Sequence, residues 1–297
     1  MADRITMSAI NNTVLSDNQR TLARMATYQQ QLSSGKRINQ VSDDPVAANM
    51  SLRYRAESVQ TGKYLDNIDK GSAFIAAGDS SMGLMSEVMA EAKRLAVQGA
   101  NGTQDANSRK ALASSVDSLL TRMVDLANTV HDGRYIFAGT ATFSPPFAKA
   151  ADGSSVGYLG NLDDFSVQIG PSSRVTVNQN GNAMFKEPID LFATLISVRD
   201  ALTANDPTTV TTLIADVDAA HDQLNNLHGG LGASEQRLDL ARNQLESAQT
   251  NLGALISGAE DVDFAEAISQ MQMTQVALEA GLQSGARVLR STLLDYL

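Results

Sequence analysis

The sequence predicts a mainly α protein: an elongated antiparallel bundle of long helices, with a small β-rich insertion domain and coiled-coil helices at both termini. Three observations carry that prediction. Apolar residues recur in steps of three and four over long stretches toward either end. Four of the six prolines (145, 146, 171 and 188) and eight of the fourteen aromatics crowd between residues 135 and 192. Aromatics make up only 5% of the chain and there is no Trp, which favours helices packed through Leu, Val, Met and Ala.

The first terminal helix rests on Leu15, Leu22, Met25 and Leu32 at a/d spacing, with polar Asn18 and Gln29 in the same stripe. It breaks at Gly35. A second helix is expected to start at Pro45, which suits the first helical position, with Asp44 as N-cap. It runs to about residue 98, with Ile68, Ile75, Met82, Met85, Met89, Ala92 and Ala96 on one face. "GANGTQDANS" (99–108) reads as a turn. Leu112, Val116, Leu119, Met123, Leu126 and Val130 then mark a third helix that stops before Gly133.

The period changes in the middle. "SVQIG" and "RVTVNQNGNAMF" alternate in twos between Gly-Pro and Asn-Gly pairs, the pattern of short strands and turns. The second half returns to a 3/4 series from Leu213 to Ala259, broken only by Ser234. "HGGLG" (228–232) should weaken it, because Gly costs about 1 kcal/mol relative to Ala in a helix, yet the register survives, so the stretch reads as one long helix with a soft spot there, a turn being the alternative. The phase slips at "AEDVDFAEA". Asp263 and Glu266 there form a capping-box-like start for a last stripe of Phe264, Ile268, Met271, Gln275, Leu278, Leu282, Gly285 and Leu289.

The expected domains are therefore 1–42 with 264–297 as terminal helices, 43–144 with 188–263 as a helical body, and 145–187 as a β-rich outer insertion. Two narrow 3.5-period stripes at the chain ends are natural partners for each other or for neighbouring copies. Such stripes bury too little to offset the entropy of ordering their backbone in a lone copy. The ten residues assigned to assembly are Leu15, Leu22, Met25, Leu32, Phe264, Ile268, Met271, Leu278, Leu282 and Leu289.

Composition excludes several classes. A net charge of −10 argues against nucleic-acid binding, and the +3 balance of residues 1–42 reads as a solvated face. Without Cys there are no disulfides, thiolate metal sites or cysteine nucleophiles. The start, "MADRITMSAINN", lacks the apolar core of a secretory signal, and no run approaches the roughly 20 apolar residues of a membrane span. Those rules give a cytoplasmic protein, unless it leaves by a route that removes no signal.

The chemical motifs dissolve on inspection. "LSSGKRI" has Gln30 and Arg37 where a phosphate loop needs Gly and Ser or Thr, so Gly35 reads as a helix end with Lys36 and Arg37 near its negative pole. Asp43 and Asp44 are adjacent and diverge. Glu260, Asp261 and Asp263 lack calcium-loop spacing and read as a helix start. His221 and His228 flank the apolar stripe at its rim. The Met-rich faces fit helix packing. No nucleophile, base and orienter come together, so no enzyme, cofactor or metal is expected.

Longer blocks carry a resemblance. "QLSSGKRINQVSDDPVAAN" and "KRLAVQGANGTQDANSRKAL" resemble the N-terminal region of bacterial flagellin-family proteins, and "GASEQRLDLARNQLESAQTNL" and "DVDFAEAISQMQMTQVALEAGLQ" resemble the C-terminal region. "NTVHDGRYIFAGTATFSPPF" and the ending "LRSTLLDYL" are more similar to the hook–filament junction branch than to flagellin itself. The resemblance implies a structural protein of the extracellular flagellum, exported unfolded through the type III pathway with an uncleaved signal. It also implies a ring of identical copies between hook-associated protein 1 and the first flagellins, and an export chaperone before secretion. Met1-Ala2-Asp3 makes the start slightly longer than the family pattern. Flagellin is the near alternative, and an intracellular coiled-coil adaptor is the alternative from another class.

Overall fold

A computed structural model describes residues 7–294 other than 179. The helices are α1 (Met7–Ser34), α2 (Pro45–Ala100), α3 (Ala106–Ala127), α4 (Gly181–Phe185), α5 (Leu191–Thr203), α6 (Pro207–Glu260) and α7 (Phe264–Leu294). The strands are β1 (Val130–His131), β2 (Arg134–Tyr135), β3 (Phe147–Lys149), β4 (Val156–Tyr158), β5 (Phe165–Gln168) and β6 (Arg174–Asn178). They pair as three separate antiparallel hairpins rather than one sheet. Long helices with a small strand-bearing segment are the predicted fold class. The chain divides into two compact units, Met1–Gln60 with Ala248–Leu297, and Thr61–Ser247; α2 and α6 have residues in both.

The Thr61–Ser247 unit holds the core. Ile68, Ile75, Met82, Met85, Met89, Ala92 and Ala96 are all buried on one face of α2, as their spacing predicts. They meet Val217, Ala220, Leu224, Leu231 and Leu238 of α6. At the rim of that apolar seam runs a polar ladder whose rungs are spaced seven residues apart along α2 and three, seven and seven apart along α6. Lys93 pairs with Asp218 (2.6 Å), Ser86 with His221 (2.7 Å), Asp79 with His228 (2.7 Å), and the Ser72 hydroxyl donates to Glu235. Both histidines thus lie on the rim, each facing α2. "HGGLG" is not a turn: α6 passes through it as continuous helix, in line with the long-helix reading.

Two expectations are corrected here. α3 stops at Ala127, so Val130 belongs to β1 and is half exposed. The buried face of α3 runs through Ala113, Val116, Leu120, Met123 and Ala127, displaced by about one residue from the Leu112–Leu119–Leu126 row, which is only partly buried. The β1–β2 hairpin turns on Asp132 and Gly133, both at positive φ (49° and 72°), the conformation a two-residue hairpin turn requires. It precedes the 145–187 segment.

Helix α5 was not read from the sequence, yet Leu191, Phe192, Leu195, Val198 and Leu202 are buried almost completely. Asp190 caps it by accepting from the Ala193 amide at 2.9 Å. Phe192 joins Phe147 and Phe185 in an aromatic cluster with centroids 5.1–6.5 Å apart, and Phe137 and Tyr158 close its edges. Arg199 of α5 ties the β3–β4 turn down, donating to Asp117 (3.1 Å) and to the Gly153 carbonyl (2.8 Å).

The α2–α3 turn is locked by one buried cation. Arg109, 5% exposed, donates to the carbonyls of Gly99 (2.8 Å) and Asn101 (3.0 Å) and to Asn205 Oδ1 (2.6 Å). Two of these three neutral acceptors are backbone carbonyls at or just past the negative end of α2.

Candidate assembly surface

The unit made of Met1–Gln60 and Ala248–Leu297 is built differently. Among its described residues only Ala48, Leu252 and Ala267 are buried apolar side chains. Helices α1 and α7 lie against each other. On α1 six of the half-buried positions, Val14, Asn18, Thr21, Met25, Tyr28 and Leu32, form a 4-3-4-3-4 series, with Ser16 and Gln31 half-buried beside it. On α7 the matching series is Ala267, Met271, Thr274, Leu278, Gly281 and Gly285, again in steps of 4-3-4-3-4, with Ala267 and Gly285 buried and the other four half-buried. A Cβ built at Gly285 would stand 3.0 Å from Val14 Cγ1 and one at Gly281 2.5 Å from Asn18 Oδ1, so the helices approach closely at both glycines and a side chain there would have to displace Val14 or Asn18.

This seam is narrower and more polar than the predicted stripes. Of the ten residues assigned to assembly, Met25, Leu32, Met271 and Leu278 lie half-buried in the seam. Leu15 (58% exposed), Leu22 (51%), Phe264 (53%), Ile268 (43%) and Leu282 (56%) face away from it. The Leu289 side chain lies outside the described residues. The predicted heptads are therefore split: one edge closes α1 on α7, and the other stays open. Val46, Met50, Leu52, Val59, Met273 and Val276 add to the open apolar surface.

The joints that launch α1 and α7 are stitched together. Gly35, at φ +70°, ends α1, its amide donating to the Gln31 carbonyl at 2.8 Å. The two connecting segments then pair through main chain: Arg37 N donates to Glu260 O (2.6 Å) and Val262 N to Gly35 O (3.1 Å). Lys36 pairs with Asp261 (2.5 Å) and Glu260 (3.6 Å), and Arg37 donates to the Ala259 carbonyl (2.9 Å) and to Asp44 (3.2 Å). Asp44 caps α2 through the Ala47 amide (3.0 Å), Asp43 accepts from Asn39 N and Gln40 N, and Asp263 caps α7 through Ala265 N and Glu266 N.

Glu260 is the hub of the joint. Its carboxylate, 13% exposed, accepts from Arg55 Nε (2.9 Å) and Nη2 and from the Ser51 hydroxyl. The Arg55 hydrogen bonds, then Ser51 and the positive charges of Arg55 and Lys36, outweigh desolvation and lower its pKa to about 2. Lys36 is raised by its bond to Asp261, and Asp261 is lowered by Lys36 and Ser257. Sequence reasoning had set Lys36 and Arg37 aside as dipole partners of α1. The signal it passed over was a Lys-Arg pair at one joint facing a Glu-Asp pair at the other.

What this geometry defines is a class: a folded body carrying a loosely packed pair of terminal helices with apolar surface to spare. Comparison with known proteins fits that class. The bacterial flagellin N-terminal helical region matches residues 5–142 and the C-terminal helical region matches 214–297, so the chain belongs to the bacterial flagellin family. It is similar to flagellar hook-associated protein 3 of Escherichia coli strain K12, 27% identical over 288 residues, which covers 88% of this chain and 89% of that protein. It is also similar to the protein of that description from Salmonella typhimurium, at 25% identity over 86% and 87%. A flagellin from Listeria innocua is 23% identical over 87% and 86%. Among solved structures, a putative flagellar hook-associated protein from Vibrio parahaemolyticus shares the fold, with a TM-score of 0.67 and 16% identity over 74% of this chain and all of that one.

Proposed function

We propose that this chain is a non-catalytic structural subunit of the junction between flagellar hook and filament. Copies form a ring through the open faces of α1 and α7. The ring seats on hook-associated protein 1 and receives the first flagellins. The chain reaches that extracellular position unfolded through the type III export pathway, held in the cytoplasm beforehand by an export chaperone. One observation carries the assembly reading: Leu15, Leu22, Phe264, Ile268 and Leu282 are at least 43% exposed on helices whose unit has almost no core. Repeated exposed apolar residues on an ordered surface mark an interaction face. The similarity to hook-associated protein 3 of two enterobacteria supports the junction over other positions in the flagellum.

A second reading, filament subunit, is favoured by the flagellin relatives that match over most of the chain. Immunogold labelling of intact flagella with an antibody to residues 148–187 separates the readings. A single band where hook meets filament is expected. Label along the filament would make the chain a flagellin, and no label on the appendage would return the coiled-coil adaptor.

A further inference from the structure

The chain contains two Asn-Gly pairs, Asn101-Gly102 and Asn180-Gly181, and the fold treats them in opposite ways. An Asn followed by Gly is open to attack by its own backbone, because no Cβ hinders the following nitrogen. At Asn180 every participant is held. Its Oδ1 accepts from Ala183 N (2.9 Å), its Nδ2 donates to the Leu162 carbonyl (2.9 Å), and the side chain is 7% exposed. The Gly181 amide, which would be the nucleophile, donates to the Phe137 carbonyl at 2.9 Å, and Phe147 packs over the glycine.

Asn101 lies in the exposed turn between α2 and α3. No hydrogen bond from the Gly102 N–H is made among the described residues, and nothing stands within 4 Å of where a Gly102 side chain would be. The Asn101 amide oxygen accepts two bonds from Thr103, from its backbone N and its hydroxyl, both at 3.0 Å. Those donors point at the atom that gains negative charge when the side-chain carbonyl is attacked, which is the arrangement that stabilises an oxyanion.

We propose that Asn101 is a self-modification site, converting to aspartate and isoaspartate in the folded protein, with water as the co-reactant. The Gly102 nitrogen, its proton passed to hydroxide, attacks Asn101 Cγ. The N–Cγ bond forms, the Cγ–Nδ2 bond breaks, and ammonia leaves with a proton from water. Water then opens the cyclic imide at either carbonyl, so the net change is one water consumed and one ammonia released. Both products matter to the fold, because the Asn101 carbonyl is an acceptor for the buried Arg109. The aspartate branch sets a carboxylate on the residue beside that cation, which makes no salt bridge within 4.0 Å among the described residues and has Asp105 as a more distant charge. The isoaspartate branch adds a methylene to the main chain and moves the acceptor.

The test is peptide mapping of the full chain by mass spectrometry after incubation in mildly alkaline buffer, folded and in urea. In the folded protein the Asn101 peptide is expected to gain one mass unit while the Asn180 peptide keeps its amide; in urea both convert. Thr103→Val, an exposed change, is expected to slow the folded rate several-fold and leave the urea rate unchanged. An Asn101 that keeps its amide in the folded chain, or an Asn180 that keeps pace with it, would overturn the proposal. An unaltered folded rate in Thr103→Val would remove the assisting role of the turn.

Discussion

Glu260, the last residue of α6, accepts two hydrogen bonds from the Arg55 guanidinium, Nε to Oε1 at 2.9 Å, and a third from Ser51. One carboxylate thereby fixes the start of α2 to the point where α7 begins. Glu260→Gln keeps the shape but loses the charge, and charge-assisted bonds are worth about 1.5–3 kcal/mol. Faster amide exchange at Arg37 and Val262 is the expected result, with the Thr61–Ser247 unit unchanged. Because the folded pKa lies below the ordinary value, the carboxylate stabilises the joint fully above pH 4.5 and loses that effect as the pH falls toward about 2. The difference between wild type and Glu260→Gln should therefore shrink across that window. Equal exchange rates at neutral pH would dismiss the hub.

The long helices were legible because their buried faces keep one period: every α2 residue assigned from Ile68 to Ala96 is buried. The terminal pair was half legible. Leu15 and Leu22 fit the heptad by size, but opposite Gly281 and Gly285 the seam is lined by Asn18 and Val14, with Thr21 next along it. Helix α5 escaped because thirteen residues at the edge of a proline-rich segment offer little periodicity, although Leu191, Leu195, Val198 and Leu202 carry it. The joint was illegible for another reason. Lys36 and Asp261 are 225 residues apart, and nothing local announces such a pair.

Arg109 has three neutral acceptors and 5% exposure, so its removal strands the buried Gly99 carbonyl and unties the turn from Asn101 and Asn205. Arg109→Leu is expected to cost about 3 kcal/mol. Lys cannot reproduce the planar fork and should recover little of it. Urea unfolding of the full chain reads this, and a midpoint equal to wild type would refute the locking role.

Phe192 touches Phe147 and Phe185 and is 1% exposed. Phe192→Ala should lose about 3–5 kcal/mol, the usual range for an aromatic deleted from a core. Exchange protection in α3, which packs on α5, should fall with it, while the α1–α7 unit is unaffected. A loss below about 1 kcal/mol would mean the cluster collapses around the gap.

The open and closed edges of the terminal heptads give different outcomes for similar substitutions. Leu22 and Leu282 face away from the seam, so Leu22→Asp and Leu282→Asp should leave the α1–α7 pairing of a lone copy unchanged and abolish incorporation at the hook tip. Leu278 lies in the seam, and Leu278→Asp should also separate the pair, as should Gly285→Val against Val14. Limited proteolysis of the monomer distinguishes the two classes. Residues 1–40 and 264–297 are cut first in every case, because so little is buried there, but faster than wild type only in Leu278→Asp and Gly285→Val. Motility and hook-tip labelling then report assembly. Normal incorporation of Leu22→Asp and Leu282→Asp would mean that the exposed edge contacts nothing, and the assembly reading would have to move to the seam or to the body.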